Sequence, residues 1–398
     1  MKIHKHITPP ETCTGCGLCA NICPKGAIQM IQSDEGFYIP EVNNVACVEC
    51  GLCTTQCIAL TPQVPSDRQT TAYGAWNKDD EERFASSSGG IFSVISKHII
   101  NQGGCVFGVA WRDIDTAEHI KIETQEELAI LRGSKYVQAD VGMVYQQVKT
   151  ELQKQRWVLL SGTPCQIQAL RRFLKKDYEK LVTIDIVCHG TPSQLLLKEY
   201  IKQSQPLDSK IANIYFRDKS TGWLSYSIRH TLKNGISTLR PVYKDTFMKL
   251  FLSDMFLNKA CYQCAFSQGT RSGDITLGDF WGVDRCHPTW PMEKGISAVL
   301  VNTSKGKKIW SEIANSIQFE AEDYTNFTRY QTGFSHHMPI PVARDHDFRL
   351  LQKGIPLKQI EKELCDTKKI GPFKLDKNGP IFLTLRKIKR ICKRIIEK

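Results

Sequence analysis

Two kinds of hydrophobic pattern alternate through the middle of this chain. Short apolar runs recur at residues 72–76, 105–111, 157–160 and 181–188. Runs of that length with few polar breaks mark strands buried on both faces of a sheet. Between them lie segments with helical spacing. Residues 90–101 place Ile91, Val94, Ile95 and His98 on one face, and residues 125–131 and 142–154 also read as helices. Residues 166–176 have the pattern of a crossover helix between two buried strands. This strand–helix–strand rhythm predicts an α/β body with a mixed sheet. More strand-like runs occupy residues 210–300, and the periodicity fades after Glu320.

The first sixty residues lack that rhythm. Pro9, Pro10, Pro40 and several glycines punctuate short loops, as in a small α+β unit. Residues 61–67 are Pro-rich and polar, the composition of a linker. The predicted organisation is a small domain at 1–60, a linker at 61–70, and a body in two parts, 71–155 and 156–325. A peripheral segment follows at 326–380, then a basic amphipathic helix at 381–398. In that last stretch Phe382, Leu385, Ile388, Ile391 and Ile395 form a stripe. Residues 386–398 contribute +6 to a net charge of +12. Such a helix lies on an anionic membrane surface or packs its stripe on the body.

Composition narrows the class. The chain has 398 residues, is 41% hydrophobic and 24% charged, and has the balance of a globular protein of two or three domains. It contains no apolar run of 18 residues, and residues 1–6 do not resemble a signal peptide. Sixteen cysteines without an export signal point to metal centres in a reducing, cytoplasmic compartment, with the inner membrane face as the peripheral alternative. The positive charge suits an acidic partner, a membrane surface or an anionic cofactor. No helix-turn-helix, zinc finger or aromatic RNA-binding motif accompanies it, which argues against nucleic acid.

Half of those cysteines form two similar runs. The first is Cys13-x-x-Cys16-x-x-Cys19-x-x-x-Cys23-Pro24, and the second places Cys47, Cys50, Cys53 and Cys57 at the same spacing. This is the spacing that holds two 4Fe–4S clusters in bacterial ferredoxins, where the fourth cysteine of each run ligates the other cluster. The expected sets are therefore Cys13, Cys16, Cys19 and Cys57, and Cys47, Cys50, Cys53 and Cys23. Gly15, Gly17 and Gly51 allow close backbone approach to the cluster sulfurs. A zinc site needs four ligands rather than two interlocked sets of four. A disulfide framework fits three cysteines spaced by two residues poorly.

Four more cysteines stand in the body. Cys165 and Cys188 each follow a buried strand, so both are expected in loops at the same sheet end, where α/β proteins place ligands. Cys261 and Cys264 form a C-x-x-C pair. Together these four suit a third 4Fe–4S cluster or a zinc site, against the alternative of ordinary buried thiols. Cys105, Cys286, Cys365 and Cys392 are expected to be plain core or surface thiols. Two loops have anion-binding character. Ser86-Ser87-Ser88-Gly89-Gly90 precedes a helix, and Arg132-Gly133-Ser134-Lys135-Tyr136-Val137-Gln138 offers cations, a hydroxyl and an aromatic ring. Alone, each is as well explained by a capped turn.

Taken in order, Gly162-Thr163-Pro164-Cys165-Gln166, Cys188-His189-Gly190-Thr191-Pro192-Ser193, Cys261-x-x-Cys264 and Gly273-Asp274-Ile275-Thr276-Leu277-Gly278-Asp279-Phe280-Trp281-Gly282 resemble the family of coenzyme F420 hydrogenase/dehydrogenase beta subunits. The resemblance runs from about Thr71 to about Asp323, and an N-terminal ferredoxin module is common in that family. It implies an iron–sulfur flavoprotein oxidoreductase. FAD contacts then fall at Ser87, Ser88, Gly89, Gly90, Gly133, Ser134, Lys135, Tyr136, Gln138 and Thr163. Cys165, Cys188, Cys261 and Cys264 become ligands of a cluster near the flavin. His189 is the candidate catalytic residue, while Asp279 and Trp281 line the site or close a turn. The implied chemistry passes single electrons between clusters and FAD, which exchanges two with an organic substrate or cofactor. Genes of this type often accompany surface-polysaccharide functions. The redox partner would be a ferredoxin or another subunit. The competing reading is a non-catalytic electron-transfer subunit that feeds a partner enzyme.

Overall fold

The computed structural model describes residues 7–62, 70–206, 208–267, 269, 271–331 and 333–365. The predicted basic helix at 381–398 and most of the linker lie outside these residues. No helix among those described is long and apolar enough to cross a membrane.

The N-terminal unit is α+β, as its punctuation predicts. A helix at Leu18–Ile22 precedes an antiparallel hairpin of β1 (Ile28–Gln32) and β2 (Tyr38–Val42), and a helix at Leu52–Thr55 follows. The repeat in the sequence is a repeat in the backbone. Gly17 (φ 71°, ψ 2°) and Gly51 (φ 72°, ψ 0°) both sit in the left-handed region at a helix start, directly after the second cysteine of each run. A side chain is strained there, so glycine sets the curl of both cysteine loops.

The body is built on an eight-stranded sheet with the order β13-β3-β12-β11-β7-β6-β4-β5. Its strands are β3 (Thr71–Asn77), β4 (Cys105–Asp113), β5 (Thr116–Ile122), β6 (Val158–Gly162), β7 (Leu181–Ile186), β11 (Ile275–Asp279), β12 (Ser297–Val301) and β13 (Ile317–Glu322). The central four, β11, β7, β6 and β4, run parallel, and the outer pairings are antiparallel. This is the mixed sheet that the βαβ rhythm predicts. Along β4, Val106 faces a core with Ile91, Ile95, Ile99, Ile309 and Trp310, while Cys105 and Phe107 face one with Val148, Ile167 and Leu170. That alternation explains why β4 and β6 read as unbroken apolar runs: both faces are covered by helices.

A second sheet, β8 (Ile211–Asp218), β9 (Ser227–Leu232) and β10 (Ser237–Pro241), has the order β10-β9-β8. The strand-like runs at 210–300 therefore divide between two sheets. Helices at Gln194–Ser204, Thr246–Leu252, Arg344–Gln352 and Leu357–Cys365 share a core with this small sheet. The described part of 326–380 is thus a component of the core. Its low hydrophobic content hid this, because the helix at Arg344–Gln352 inserts Phe348 and Leu351 among otherwise charged residues. The helix expected at 125–131 shrinks to Leu128–Leu131.

The N-terminal unit is packed onto the body. Phe37 belongs to the core of the small sheet, and Leu18 and Ile58 to that of the helices at Val144–Gln153 and Pro164–Leu174. Arg344, 1% exposed, spans the junction, forking onto Glu35 at 3.0 and 2.7 Å and reaching Leu257 O at 2.9 Å. Removing it with Arg344→Ala leaves a carboxylate and a buried carbonyl without their donor. A loss of about 3 kcal/mol in denaturant unfolding is expected, with faster amide exchange in β1 and β2 than in the large sheet.

Candidate functional site

The carboxyl ends of the parallel strands build the site. After β6, Gly162 leads to Thr163, and a helix opens at Pro164 with a capping box. The Gln166 side chain returns to the Thr163 N–H at 2.9 Å. Cys165 therefore lies in the first helical turn, where the sequence pattern had suggested a loop. Cys188 follows β7 in an extended loop, as expected. Cys261 lies in a 3-10 turn at Lys259–Gln263, held by the Asn258 side chain accepting from Ala260 N–H at 2.9 Å, and Cys264 closes that turn. The four sulfurs come together around a cavity of about 40 Å³, also lined by Thr14, Thr163, His189, Arg271 and His337.

These thiols sense one another. Burial, then Cys264, pushes the Cys188 thiol up to about 11. Burial, then Cys188, pushes Cys261 up to about 12. Burial also holds Cys165 well above the usual thiol range, with Cys264, Cys188 and Cys16 adding to it. Four thiolates cannot coexist here without a compensating positive centre. The donor set thus fits a metal cluster. Among the described residues, no group of three or more His, Cys, Asp or Glu side chains gathers closely enough for a single metal ion.

The N-terminal thiols follow the same logic. Cys13 is pushed up to about 12 by burial, with Cys16 and Cys57 contributing, and burial raises Cys19 too, with Cys16, Cys13 and Cys57 adding. Cys57 of the second run thus stands among the thiols of the first. Cys53 is raised by burial and feels Cys23 of the first run. Cys57 and Cys23 thus each stand near thiols of the other run. The two sets differ in exposure: Cys13 is buried, whereas Cys50 is exposed and lies beside Val48 (55% exposed) and Val45 (99% exposed).

The first set adjoins the body thiols. Cys16 and Cys165 interact electrostatically, and the buried Tyr145 hydroxyl lies 2.8 Å from Cys16 O and 3.1 Å from Gln166 O. Asn258 Nδ2 donates to Cys13 O at 3.2 Å, which ties the turn carrying Cys261 to the first cysteine run. Gln138, an expected FAD contact, joins this seam. It donates to Thr14 O at 3.0 Å and accepts from Tyr38 N at 2.6 Å. A side chain on Gly15 (φ 65°) would collide with it at 2.1 Å.

A larger cavity of about 380 Å³ lies against the body thiols, and the two share Thr163, Cys188, His189, Gly190 and Thr191. Its walls come from both sheets: Ile186 and Val187 at the end of β7, Asp279 and Trp281 at the end of β11, Arg217 on β8, and Met248 and Phe251 on the helix at Thr246–Leu252. Lys135 and Tyr136 line it, as expected of their loop. Ser87, Ser88, Gly89, Gly90, Gly133 and Ser134 stand behind the wall. Ser87 and Ser134 hydroxyls meet at 3.0 Å, so the two loops are brought together. Gly89 packs against Ala75 O and Ser297, Gly90 begins the helix at Ile91–Asn101, and Gly133 faces the Tyr215 ring. His189 lies on the shared wall, and its Nε2 bonds Asp254 at 2.6 Å.

Sequence patterns missed the wall supplied by the small sheet. Arg217, 2% exposed, forks onto Asp279 at 2.5 and 3.0 Å and lies over the Tyr226 and Trp281 rings. Burial alone would lower its pKa, but the Asp279 carboxylate holds it well above the ordinary arginine value. Its only signal was a charge inside a strand pattern. Lys219 is another such residue. Its ammonium donates to Arg83 O, Ser88 O and Lys294 O at 2.8, 2.6 and 2.6 Å, which straps the Ser-Gly loop. Burial, then Arg217, pulls its pKa down to about 7. Between about pH 7 and about pH 10.4 the unfolded lysine binds the proton and the folded one does not. Stability gains from Lys219 as pH rises through that window. Urea midpoints measured across it should rise more for the wild-type protein than for Lys219→Met.

Residues 155–326 match the family described as coenzyme F420 hydrogenase/dehydrogenase, C terminus of the beta subunit, and residues 12–59 match the 4Fe-4S dicluster domain. One subunit of F(420)H(2) dehydrogenase, from Methanosarcina mazei, is 25% identical over 185 residues, 44% of this chain and 52% of that protein. The match thus spans about half the length of the curated relative. A chain of the xenon-derivatised F420-reducing NiFe hydrogenase complex of Methanosarcina barkeri is 18% identical with a TM-score of 0.45, covering 75% of this chain and 92% of that one.

Proposed function

We propose that this chain, which joins a 4Fe-4S dicluster domain to the C-terminal region of the coenzyme F420 hydrogenase/dehydrogenase beta subunits, is an iron–sulfur oxidoreductase subunit that holds FAD in its large cavity. The observation that carries this reading is the shared wall. The cavity among the body thiols and the 380 Å³ cavity have five lining residues in common, Cys188 among them, so a ring seated in the larger one lies against the body set. Bound 4Fe–4S clusters supply one-electron transfer, and a bound flavin converts between single electrons and a two-electron exchange with an organic substrate.

The residues divide the work. Cys47, Cys50, Cys53 and Cys23 form the outer set, the one with an exposed thiol, where a partner subunit or redox protein would meet the chain. Cys13, Cys16, Cys19 and Cys57 form the middle set. Cys165, Cys188, Cys261 and Cys264 form the inner one, beside the cavity. The body excludes water around the middle and inner sets, and hydrogen bonds from Tyr145, Asn258 and Gln138 hold the cysteine loops in register. In the cavity, Lys135 and the Arg217–Asp279 pair supply charge, Phe251 and Trp281 supply aromatic wall, and His189 is held in place by Asp254.

Anaerobic purification followed by iron and flavin analysis tests this. Three cubanes predict about twelve irons per chain, together with one FAD. About eight irons and no flavin would instead mark an electron carrier that feeds a partner enzyme. Cys261→Ala is expected to lose about four irons and keep the two N-terminal clusters, as followed by electron paramagnetic resonance. Retention of all the iron would overturn the inner ligand set.

A further inference from the structure

We propose that Thr163 is the positioning residue that sets the redox poise of the inner thiol set, by donating its hydroxyl proton to the Cys165 sulfur. This rests on the inner set holding a cluster, and it concerns a residue that the family resemblance suggested only as an FAD contact. Thr163 Oγ1 lies 3.1 Å from Cys165 Sγ. The ligation state of the sulfur decides which way the hydrogen bond runs. A cysteine that ligates a metal is a thiolate and has no proton to give. The hydroxyl therefore donates and the sulfur accepts.

The location gives this bond its consequence. Cys165 and its neighbourhood are buried, so a hydrogen bond to the sulfur acts in a low-dielectric setting. An added electron spreads onto the ligand sulfurs, and a donor at one of them favours the more negative, reduced state. Thr163 also lies on the wall shared by the thiol cavity and the large cavity. It is therefore placed to bias electrons toward the set beside the cavity and away from the two N-terminal sets. A second donor helps in the same direction: Thr191 N–H lies 3.4 Å from Cys261 Sγ. The Thr191 and Ser267 side chains also lie by Cys261 and Cys264, whereas Thr163 is the one that meets Cys165.

The test is a redox titration of the full-length, iron-loaded protein followed by electron paramagnetic resonance. Thr163→Val keeps the shape and removes the donor. It is expected to lower the midpoint potential of the inner set, enough for a several-fold change in how electrons divide between it and the N-terminal sets. Thr163→Ser should titrate with the wild type. Gln166→Met breaks the capping box without touching the O–H, so it should lower the melting temperature and leave the potential in place. A Thr163→Val protein that titrates with the wild type overturns the proposal. Should that variant lose the inner irons, the wild-type protein still decides. Its reduced inner set must show a hyperfine-coupled hydroxyl proton, distinct from the Thr191 amide proton, that exchanges in D₂O, and the lack of one overturns the assignment. A wild-type protein with only about eight irons would instead remove the inner cluster itself, a failure of the proposed function rather than of Thr163.

Discussion

Everything at the centre of this molecule depends on the cost of ionising thiols that are desolvated and grouped together. Cys165, Cys188 and Cys261 come from segments far apart in the chain, and each is raised chiefly by burial, with neighbouring thiols adding to it. Such a cluster of groups resists ionisation and becomes favourable only when a positive centre neutralises it. The fold therefore has to hold the thiols together before any such centre arrives. It does so with the most rigid parts available, the ends of β6 and β7 in the middle of a parallel sheet covered on both faces. The capping box at Thr163 and the Asn258-capped turn fix the remaining backbone.

That constraint explains how the N-terminal unit is docked. A free-standing ferredoxin of this size has little core of its own. Here it borrows one: Leu18 and Ile58 complete the core of the helices around Cys165, and Phe37 completes that of the small sheet. Hydrogen bonds from Asn258, Gln138 and Tyr145 cross the junction to the loop of Cys13, Thr14 and Cys16, the part nearest the body thiols. The outer set is left at the surface. The outer set is thus the most exposed of the three, and the degree of solvent access is one of the levers that tunes an iron–sulfur potential.

The small sheet answers a different need. The carboxyl ends of the parallel strands form an open crevice, and β8 with the helix at Thr246–Leu252 walls it into a cavity. That wall carries a buried cation. Arg217 is tolerated because Asp279, at the end of β11, supplies the opposing charge in a forked pair, and because two aromatic rings cover the guanidinium. The ion pair is also the joint between the two sheets, so cavity shape and charge are determined together.

Local chemistry was legible in the chain itself. Cysteine spacing announces the paired runs, because three ligands to one cube must come from one tight loop, and the glycines that permit the loop are adjacent. Continuous apolar runs announce β4, β6 and β7, because both faces of those strands are covered. Cys165 and Cys188 were placed at one sheet end from strand order alone. The rest involves partners distant in sequence. Gln138, some 124 residues from Thr14, reads as part of a loop, and only the docked module turns it into a clamp. The helix at Arg344–Gln352 looks like a surface segment, and only the meeting of Glu35 and Leu257 explains its buried arginine. The wall formed by Arg217 depends on which strands pair with which sheet. Spacing within one loop is encoded by a few neighbouring residues, whereas the packing of one element on another is a property of surfaces that the chain brings together only when folded.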